Sequence, residues 1–343
     1  MSTRFSTRTE EASGDWRDYM ARLEGPPVKL RITVVEEYPR TILTFNRSPD
    51  IAFDRSVNPY RGCEHGCIYC YARLTHAYHD HSPGLDFETR LYAKPDAARL
   101  LRETLGKPGY RPRPIALGTN TDPYQPLEKR YRITRAILEV CLEARHPVTI
   151  TTKSDRVLAD LDLLTELSKQ HLVAVAISVT SLDPVLSGKL EPRAASPAKR
   201  LQALARLVDA GLPVHCSVSP VIPAITDEFL EEIVTQAAAR GAKSIGWTPL
   251  RLPHEVAPLF REWLAIHFPD RAAKVMNIVR SIRGGRDNDP NFFTRFQPEG
   301  VWADLLRARF RAACRKAGIG KAKFELDCSR FRSPETGGQM RLL

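Results

Sequence analysis

Leu172 to Thr180 reads LVAVAISVT, and its alternation decides the architecture. Successive side chains of an extended strand point to opposite faces. Val173, Val175, Ile177 and Val179 therefore share one face, while Ala174, Ala176, Ser178 and Thr180 share the other. One face is apolar and the other small and polar. The split recurs with Val214, Cys216 and Val218 against His215, Ser217 and Ser219, and with Val148 and Ile150 against Thr149, Thr151 and Lys153. A fourth run sets Ile115 and Leu117 against Ala116, Gly118 and Asn120. In a single strand, ordinary tolerance of Ser and Thr would explain such a face. Four strands with the same split point to helices packed outside and a lumen left open for a polar ligand, where a plugged barrel would place Val, Ile and Leu.

Around these strands a βα rhythm runs outward in both directions. Strand-like runs at 114–120, 147–153, 171–180, 212–219 and 242–248 alternate with helical stretches at 94–106, 129–145, 156–169, 196–210 and 226–240, the pattern of a parallel sheet. Ser196 before Pro197 predicts an N-cap and first helical position, Thr226 a second N-cap, and Gly211 and Gly241 the left-handed residues that close helices. With one strand just before Cys63 there are six units, so the expected fold is α/β, a partial (β/α)6 barrel of TIM type. Residues 1–24 read as a disordered tail and 25–54 as preamble strands, at Leu30 to Glu36 and Thr41 to Phe45. The core spans 55–250, and 251–343 form a basic, mainly helical region with a flexible tail.

The chain has 343 residues, 43% hydrophobic and 27% charged, values that exclude a disordered or fibrous protein. Its longest apolar runs, such as Leu172 to Val179, fall far short of the roughly 20 residues that cross a bilayer. The N-terminus lacks an apolar signal core, so the expected location is the cytoplasm. Net charge is +11. Residues 251–343 hold 18 basic and 10 acidic side chains, with 14 Arg against 4 Lys. Arginine's planar fork suits phosphate, so this region is a candidate surface for DNA or RNA, with an ordinary basic surface as the alternative. Arg280, Arg283 and Arg286 flank a Gly pair, and Arg307, Arg309, Arg311 and Arg315 crowd one helix around Phe310.

Seven cysteines make an odd number and no disulfide framework. Asn58 to Arg73 reads NPYRGCEHGCIYCYAR, placing Cys63, Cys67 and Cys70 on a tight loop after the first strand. Structural zinc and four-cysteine iron–sulfur sites both want a fourth ligand. Three thiolates leave a position open. A 4Fe-4S cluster with one unligated iron could bind a substrate or cofactor directly, whereas zinc would call on His65, His79 or His81.

This triad, with Tyr69 before its last cysteine on the first loop of a βα barrel, resembles the radical S-adenosylmethionine (SAM) superfamily. GTNTDPYQPLE (Gly118 to Glu128) and TTKSD (Thr151 to Asp155) resemble its spore photoproduct lyase-like branch. The resemblance implies a 4Fe-4S cluster on Cys63, Cys67 and Cys70 whose open iron chelates SAM. One-electron reduction, from a donor such as flavodoxin or ferredoxin, then yields a 5'-deoxyadenosyl radical that abstracts a substrate hydrogen. By the same resemblance Tyr69 and Tyr71 flank the cluster and adenosyl group, Asn120 or Thr121 meets the methionine end, Lys153 pairs with its carboxylate, and Ser178 reaches the ribose. The superfamily's Gly-Gly-Glu stretch is replaced by GTNTD, and its fifth-strand glycine motif by SPVIPAITDE (Ser219 to Glu228). Where the lyase carries a hydrogen-donating cysteine, this chain has Thr119, so it is not expected to be that lyase. Cys141, Cys216 and Cys314 read as structural, and Cys328 is the one thiol candidate that a tail could bring to the barrel mouth.

Three functions follow: a radical SAM enzyme acting on nucleic acid in a repair-like reaction, one acting on a small molecule or peptide, and a noncatalytic iron–sulfur or zinc module that binds nucleic acid. A lumen holding Lys153 and Ser178 favours an enzyme. Finally, Gln339 to Leu343 (QMRLL) follows the Gly-containing SPETGG and resembles the short peptide that docks bacterial repair proteins on the sliding clamp.

Overall fold

The computed structural model describes residues 31–320 and 324–334. The expectations for residues 1–24 and for Gln339 to Leu343 fall outside them. Among the described residues ten strands form two sheets: β1 (Thr33–Glu36), β2 (Leu43–Phe45), β3 (Arg55–Val57), β4 (Tyr60–Arg61), β5 (Arg90–Ala93), β6 (Ile115–Leu117), β7 (Val148–Thr152), β8 (Val173–Ser178), β9 (Val214–Val221) and β10 (Ser244–Pro249). The main sheet has the order β10-β9-β8-β7-β6-β3-β2. Strands β3, β6, β7, β8, β9 and β10 are parallel and follow chain order, and β2 joins the edge antiparallel to β3. These are the six strands of a partial (β/α)6 barrel. The two preamble strands part company, because β1 pairs with β5 in the small β1-β5-β4 sheet while β2 extends the barrel sheet.

The register aligns the small polar face row by row. Thr151 lies beside Ala176, Ala176 beside His215, and His215 beside Ser244. One row further along, Ser178 lies beside Ser217, and Ser217 beside Gly246. Thr151 is exposed and Ala176, His215, Ser217 and Gly246 are half-buried, so this face lines an open lumen. On the opposite face Val148, Ile150, Val173, Val175, Ile177, Val214, Cys216 and Val218 are each at most 1% exposed. They pack under helices α1 (Ala97–Leu105), α2 (Ile133–Glu143), α3 (Leu161–Lys169), α4 (Pro197–Asp209) and α5 (Leu230–Ala239).

Helix ends follow the sequence signals. The Ser196 hydroxyl accepts from the Lys199 amide at 3.4 Å ahead of Pro197, and Gly211 and Gly241 sit at φ +82° and +83°. Thr226 takes the expected N-cap position, ahead of the 3-10 turn Asp227–Phe229 that leads into α5, but makes no side-chain cap bond. Its hydroxyl accepts from the Ile222 amide at 2.8 Å, closing the turn after β9 while the helix begins at Leu230.

The chain beyond 250 carries helices α6 (Val256–His267), α7 (Pro269–Ser281) and α8 (Val301–Lys316). Phe260, Trp263 and Leu264 of α6 and Val275 and Val279 of α7 share one buried cluster with Ile68, Tyr69, Leu190 and Ile222. Full burial of such side chains is worth about 1.5–3 kcal/mol each, so this region is the packing partner of the cysteine loop and shares its core. Helix α8 lies against α5 through Arg309 and Glu231, 2.6 Å apart. The segment 324–334 docks at the opposite end of the barrel: the Asp327 amide donates to the His171 carbonyl at 2.9 Å and the Arg332 amide to that of Ala144 at 2.8 Å. His171 and Ala144 precede β8 and β7, so Cys328 sits where strands begin, remote from the barrel mouth where they end. That placement corrects the expectation of a thiol swinging toward the mouth.

Candidate active site

The cysteine loop lies at the C-terminal ends of the barrel strands and is clamped by carbonyl-seeking side chains. Arg73, 1% exposed, donates to the carbonyls of Cys67 and Gly66, both at 2.9 Å. The Arg193 guanidinium donates to the Glu64 carbonyl, and Glu88 accepts from both arginines. A buried carboxylate between two guanidiniums is stable only when hydrogen-bonded throughout, and here the loop backbone completes the bonding. From the other side, Thr121 Oγ1 donates to the Gly62 carbonyl at 2.6 Å, and Gln125 accepts from the Glu64 amide at 3.0 Å. Gly66 has φ +65°, and a Cβ there would meet Glu88 Oε2 at 2.6 Å, so only glycine lets the loop pass this close.

Inside the clamp the three thiols lie within one another's electrostatic reach. Cys63 and Cys67 are buried and Cys70 is half-buried. Burial pushes the Cys63 thiol well above its ordinary range, with Asp122, Cys67 and Cys70 adding to the rise. Burial likewise lifts Cys67 to about 12. Three thiolates in one dehydrated site repel one another unless cations compensate them, which is the service that iron or zinc performs. The donor set therefore fits a thiolate-bound iron cluster. His65 Nδ1 lies 3.3 Å from Asp122, and the His79 and His81 rings stack against Tyr92 at 4.9 and 6.1 Å, so these histidines are engaged away from the triad. Among the described residues no three His, Cys, Asp or Glu side chains are grouped to hold a single ion.

Behind the triad a polar network crosses the lumen. Glu191, fully buried, pairs with Arg200 and accepts from the Tyr69 hydroxyl and from Thr180 Oγ1 at 2.7 Å. Burial opposes its charge, but Arg200, Lys153 and Tyr69 outweigh burial and hold its pKa at about 2. Arg200 also donates to the Ser178 carbonyl at 3.2 Å. Lys153 Nζ stands 5.8 Å from the centre of the Tyr69 ring. Burial lowers its pKa, and the fields of Cys67 and Glu191 more than offset that, leaving it raised. The ammonium has no hydrogen-bond or ion-pair partner among the described residues and faces the triad.

The residues singled out from sequence divide into two groups. Lys153, Ser178 and the exposed Asn120 stand at the ends of β7, β8 and β6 around the mouth. Thr121 and Tyr69 commit their hydroxyls to the Gly62 carbonyl and to Glu191, so they hold the loop and the network in place. Tyr71, half of it exposed, donates to the Thr119 carbonyl, and Thr119 Oγ1 donates to Asn58 at 3.0 Å. Position 119 is thus a brace. Glu88, Arg73, Arg193, Gln125, Glu191 and Arg200 escaped the sequence reading. A buried-ion signature has no local pattern, although GTNTDPYQPLE did mark the segment carrying Gln125.

One row deeper the lumen widens into a cavity of about 730 Å³ between Thr149, Ala176, His215 and Ser244 of the sheet and Arg311 and Cys314 of α8. His215 Nδ1 is 2.7 Å from Ser244 Oγ, and burial lowers its pKa. The remaining sequence-selected arginines are mostly spent: Arg309 pairs with Glu231, Arg307 with Asp304, Arg280 with Asp287, and Arg283 is 6% exposed.

A partial six-stranded barrel with a three-cysteine loop at the strand ends defines a class of enzyme, and the comparisons agree. The radical SAM superfamily profile matches residues 57–237, more than half of the chain, and this chain belongs to that superfamily. An uncharacterized protein of Mycobacterium tuberculosis is 38% identical over 240 residues, covering 68% of this chain and 71% of its own. Another, from Methanocaldococcus jannaschii, is 30% identical over 171 residues, 50% of this chain and 61% of its own. Among solved structures, spore photoproduct lyase superposes with a TM-score of 0.58 at 15% identity, over 83% of this chain and 79% of the lyase. That likeness is one of fold. No helix among the described residues is long and apolar enough to cross a membrane.

Proposed function

We propose that this radical SAM enzyme holds a 4Fe-4S cluster on Cys63, Cys67 and Cys70 and acts on a nucleic acid. The observation that carries the cluster assignment is the clamped cysteine triad, two of its thiols buried, facing the unpartnered Lys153 ammonium. Bound together, cluster and SAM supply one-electron reductive cleavage of the cofactor, which requires an external electron donor of the flavodoxin or ferredoxin kind. The protein's part is to position and to exclude water. Lys153 pairs with the cofactor carboxylate, Asn120 meets its methionine end, and Ser178 offers a hydroxyl to the ribose. Tyr69 fixes the wall behind them through Glu191, and Tyr71 covers the outer edge of the loop. The cavity below the mouth receives the part of the substrate that reacts.

A nucleic-acid substrate is supported by the net charge of +11 and by the structure of spore photoproduct lyase complexed with a dinucleoside spore photoproduct. Thr119, bound on both sides as a brace, supplies no thiol, so any product hydrogen comes from a different group than in a cysteine-donating enzyme. The test is anaerobic incubation of reconstituted protein with SAM and dithionite. Formation of 5'-deoxyadenosine that rises when single-stranded DNA or RNA is added is expected. Formation unaffected by any nucleic acid would remove the substrate assignment, and no formation at all would remove the enzymatic one.

A further inference from the structure

At the same end of the barrel, just past β10, three arginines crowd together with too few acids. Arg251 follows the strand by two residues, and its guanidinium has no hydrogen-bond or ion-pair partner among the described residues. Its Nε is buried and unpartnered. Arg283, 6% exposed, gives its terminal nitrogens to the Leu250 and Arg295 carbonyls at 2.6 and 3.1 Å, yet its Nε too is buried without a partner. Of the three, Arg295 alone has a carboxylate in contact, Asp50, held by two bonds of 2.5 and 2.7 Å. Asp289 lies nearby with its oxygens on Thr294 and the Asn291 amide. Burial lowers the pKa values of Arg251 and Arg283, with Arg295 repelling the first and Arg251 the second, and the more distant Asp50 and Asp289 only partly opposing this. Two guanidiniums with no carboxylate in contact in a partly dehydrated pocket are costly, and an anion seated there relieves the cost.

Aromatic rings surround the same spot. The Arg251 guanidinium lies 4.7 Å from the Phe296 ring centre, and that of Arg295 lies 4.9 Å from Phe292 and 5.1 Å from Phe296. Phe292 and Phe293 are 51% and 56% exposed. The Asp50 carboxylate also accepts from the Phe293 amide at 3.0 Å, which fixes this loop although Phe293 takes φ +68°, a conformation that bulky residues seldom adopt. Tyr71, the residue after Cys70, lies within the electrostatic reach of Arg251. The patch thus borders the cysteine loop.

We propose that Arg251 and Arg283 form a phosphate site at the rim of the barrel mouth, which takes a backbone phosphate of single-stranded nucleic acid while neighbouring bases stack on Phe292 and Phe293. Arginine forks match phosphate, and flat apolar rings accept any base; an acidic peptide would use the charges and leave the rings idle. The inference deepens the proposed function and rests on its nucleic-acid reading. Its test is therefore binding, with the cluster assayed separately.

Full-length protein is titrated into a labelled oligothymidylate of about ten nucleotides, and fluorescence anisotropy is read at several salt concentrations. Arg251→Gln is expected to bind about tenfold more weakly, with a salt dependence shallower by about one phosphate contact. Phe293→Ala, an exposed position whose loss spares the fold, is expected to weaken binding with the salt dependence unchanged. Both variants should keep wild-type iron content and basal 5'-deoxyadenosine formation. Oligonucleotide affinity equal in wild type and Arg251→Gln would overturn the site while leaving the enzymatic reading intact. Equally tight binding of polyglutamate, lost in Arg251→Gln but not in Phe293→Ala, would overturn the nucleic-acid assignment in favour of acidic peptide. Loss of iron in the wild type would strike the proposed function alone.

Discussion

The two ends of the barrel lumen are built from the same strands and differ in almost everything else. At the mouth, Glu88, Glu191, Arg73, Arg193 and Arg200 are buried and paired, and their bonds terminate on the backbone of the cysteine loop and of β8. At the floor there is a cavity of about 730 Å³, a His215 bonded to Ser244, and a docked tail. Buried ion networks are expensive to assemble and lose much when one member is removed. The mouth has accepted that cost to hold three thiols, while the floor has left space. Rigidity is concentrated around the three thiols, and open volume at the other end of the lumen.

Replacing Cys63, Cys67 or Cys70 by Ala should sharpen this contrast most. Each change is expected to abolish the iron–sulfur absorbance near ~400 nm, whereas Cys141→Ala and Cys216→Ala, both in the apolar core, should keep full iron at a cost of about 1 kcal/mol. Iron retained in the triad variants and lost in the core variants would exchange their roles.

Glu191→Gln comes next. It leaves Arg200 without its carboxylate partner, and a loss of about 3–5 kcal/mol is expected, read as a fall in thermal or denaturant midpoint. The sign with pH follows from the same group. Its folded pKa, about 2, lies below the unfolded value of about 4.3, so its contribution is complete above pH ~4.3 and drains away as pH falls toward 2. The wild type should lose stability through this window more steeply than Glu191→Gln. Parallel acid profiles would show that the network does not carry the mouth.

Lys153→Ala removes no packed ion pair, so fold and iron should survive while SAM affinity falls about tenfold, roughly 1.5–3 kcal/mol, measured by calorimetry. Unchanged affinity would make Lys153 a solvated strand end. The smallest effect belongs to the floor: Cys328→Ser is expected to leave iron, SAM affinity and 5'-deoxyadenosine formation unaltered, with stability within about 0.5 kcal/mol. A loss of turnover there would bring the tail back into the chemistry.

What sequence reveals here depends on how local the pattern is. The split faces of Val173 to Ser178 and Val148 to Thr152 repeat every two residues, and the register found between them makes the lumen they imply. The triad is equally legible, since Cys63, Cys67 and Cys70 lie within eight residues. Glu88 meets Arg193 across 105 residues and Tyr69 meets Glu191 across 122, and no periodicity connects such partners. Arg283 shows the converse failure. Its neighbours Arg280 and Arg286 make it look like a surface charge, yet Leu250 and the Phe292 to Phe296 loop fold over it. Thr226 carries an N-cap signal and takes the N-cap position of the turn Asp227–Phe229, yet its hydroxyl accepts from the Ile222 amide behind it and caps nothing ahead.

The central claim is that Cys63, Cys67 and Cys70 hold an iron–sulfur cluster with one coordination position open to SAM. Electron paramagnetic resonance of the dithionite-reduced, anaerobically purified protein tests this most directly. The expected spectrum is that of a reduced 4Fe-4S cluster whose g values shift when SAM is added and shift less at the same SAM concentration in Lys153→Ala. A spectrum indifferent to SAM, or a colourless protein carrying one zinc per chain, would contradict it.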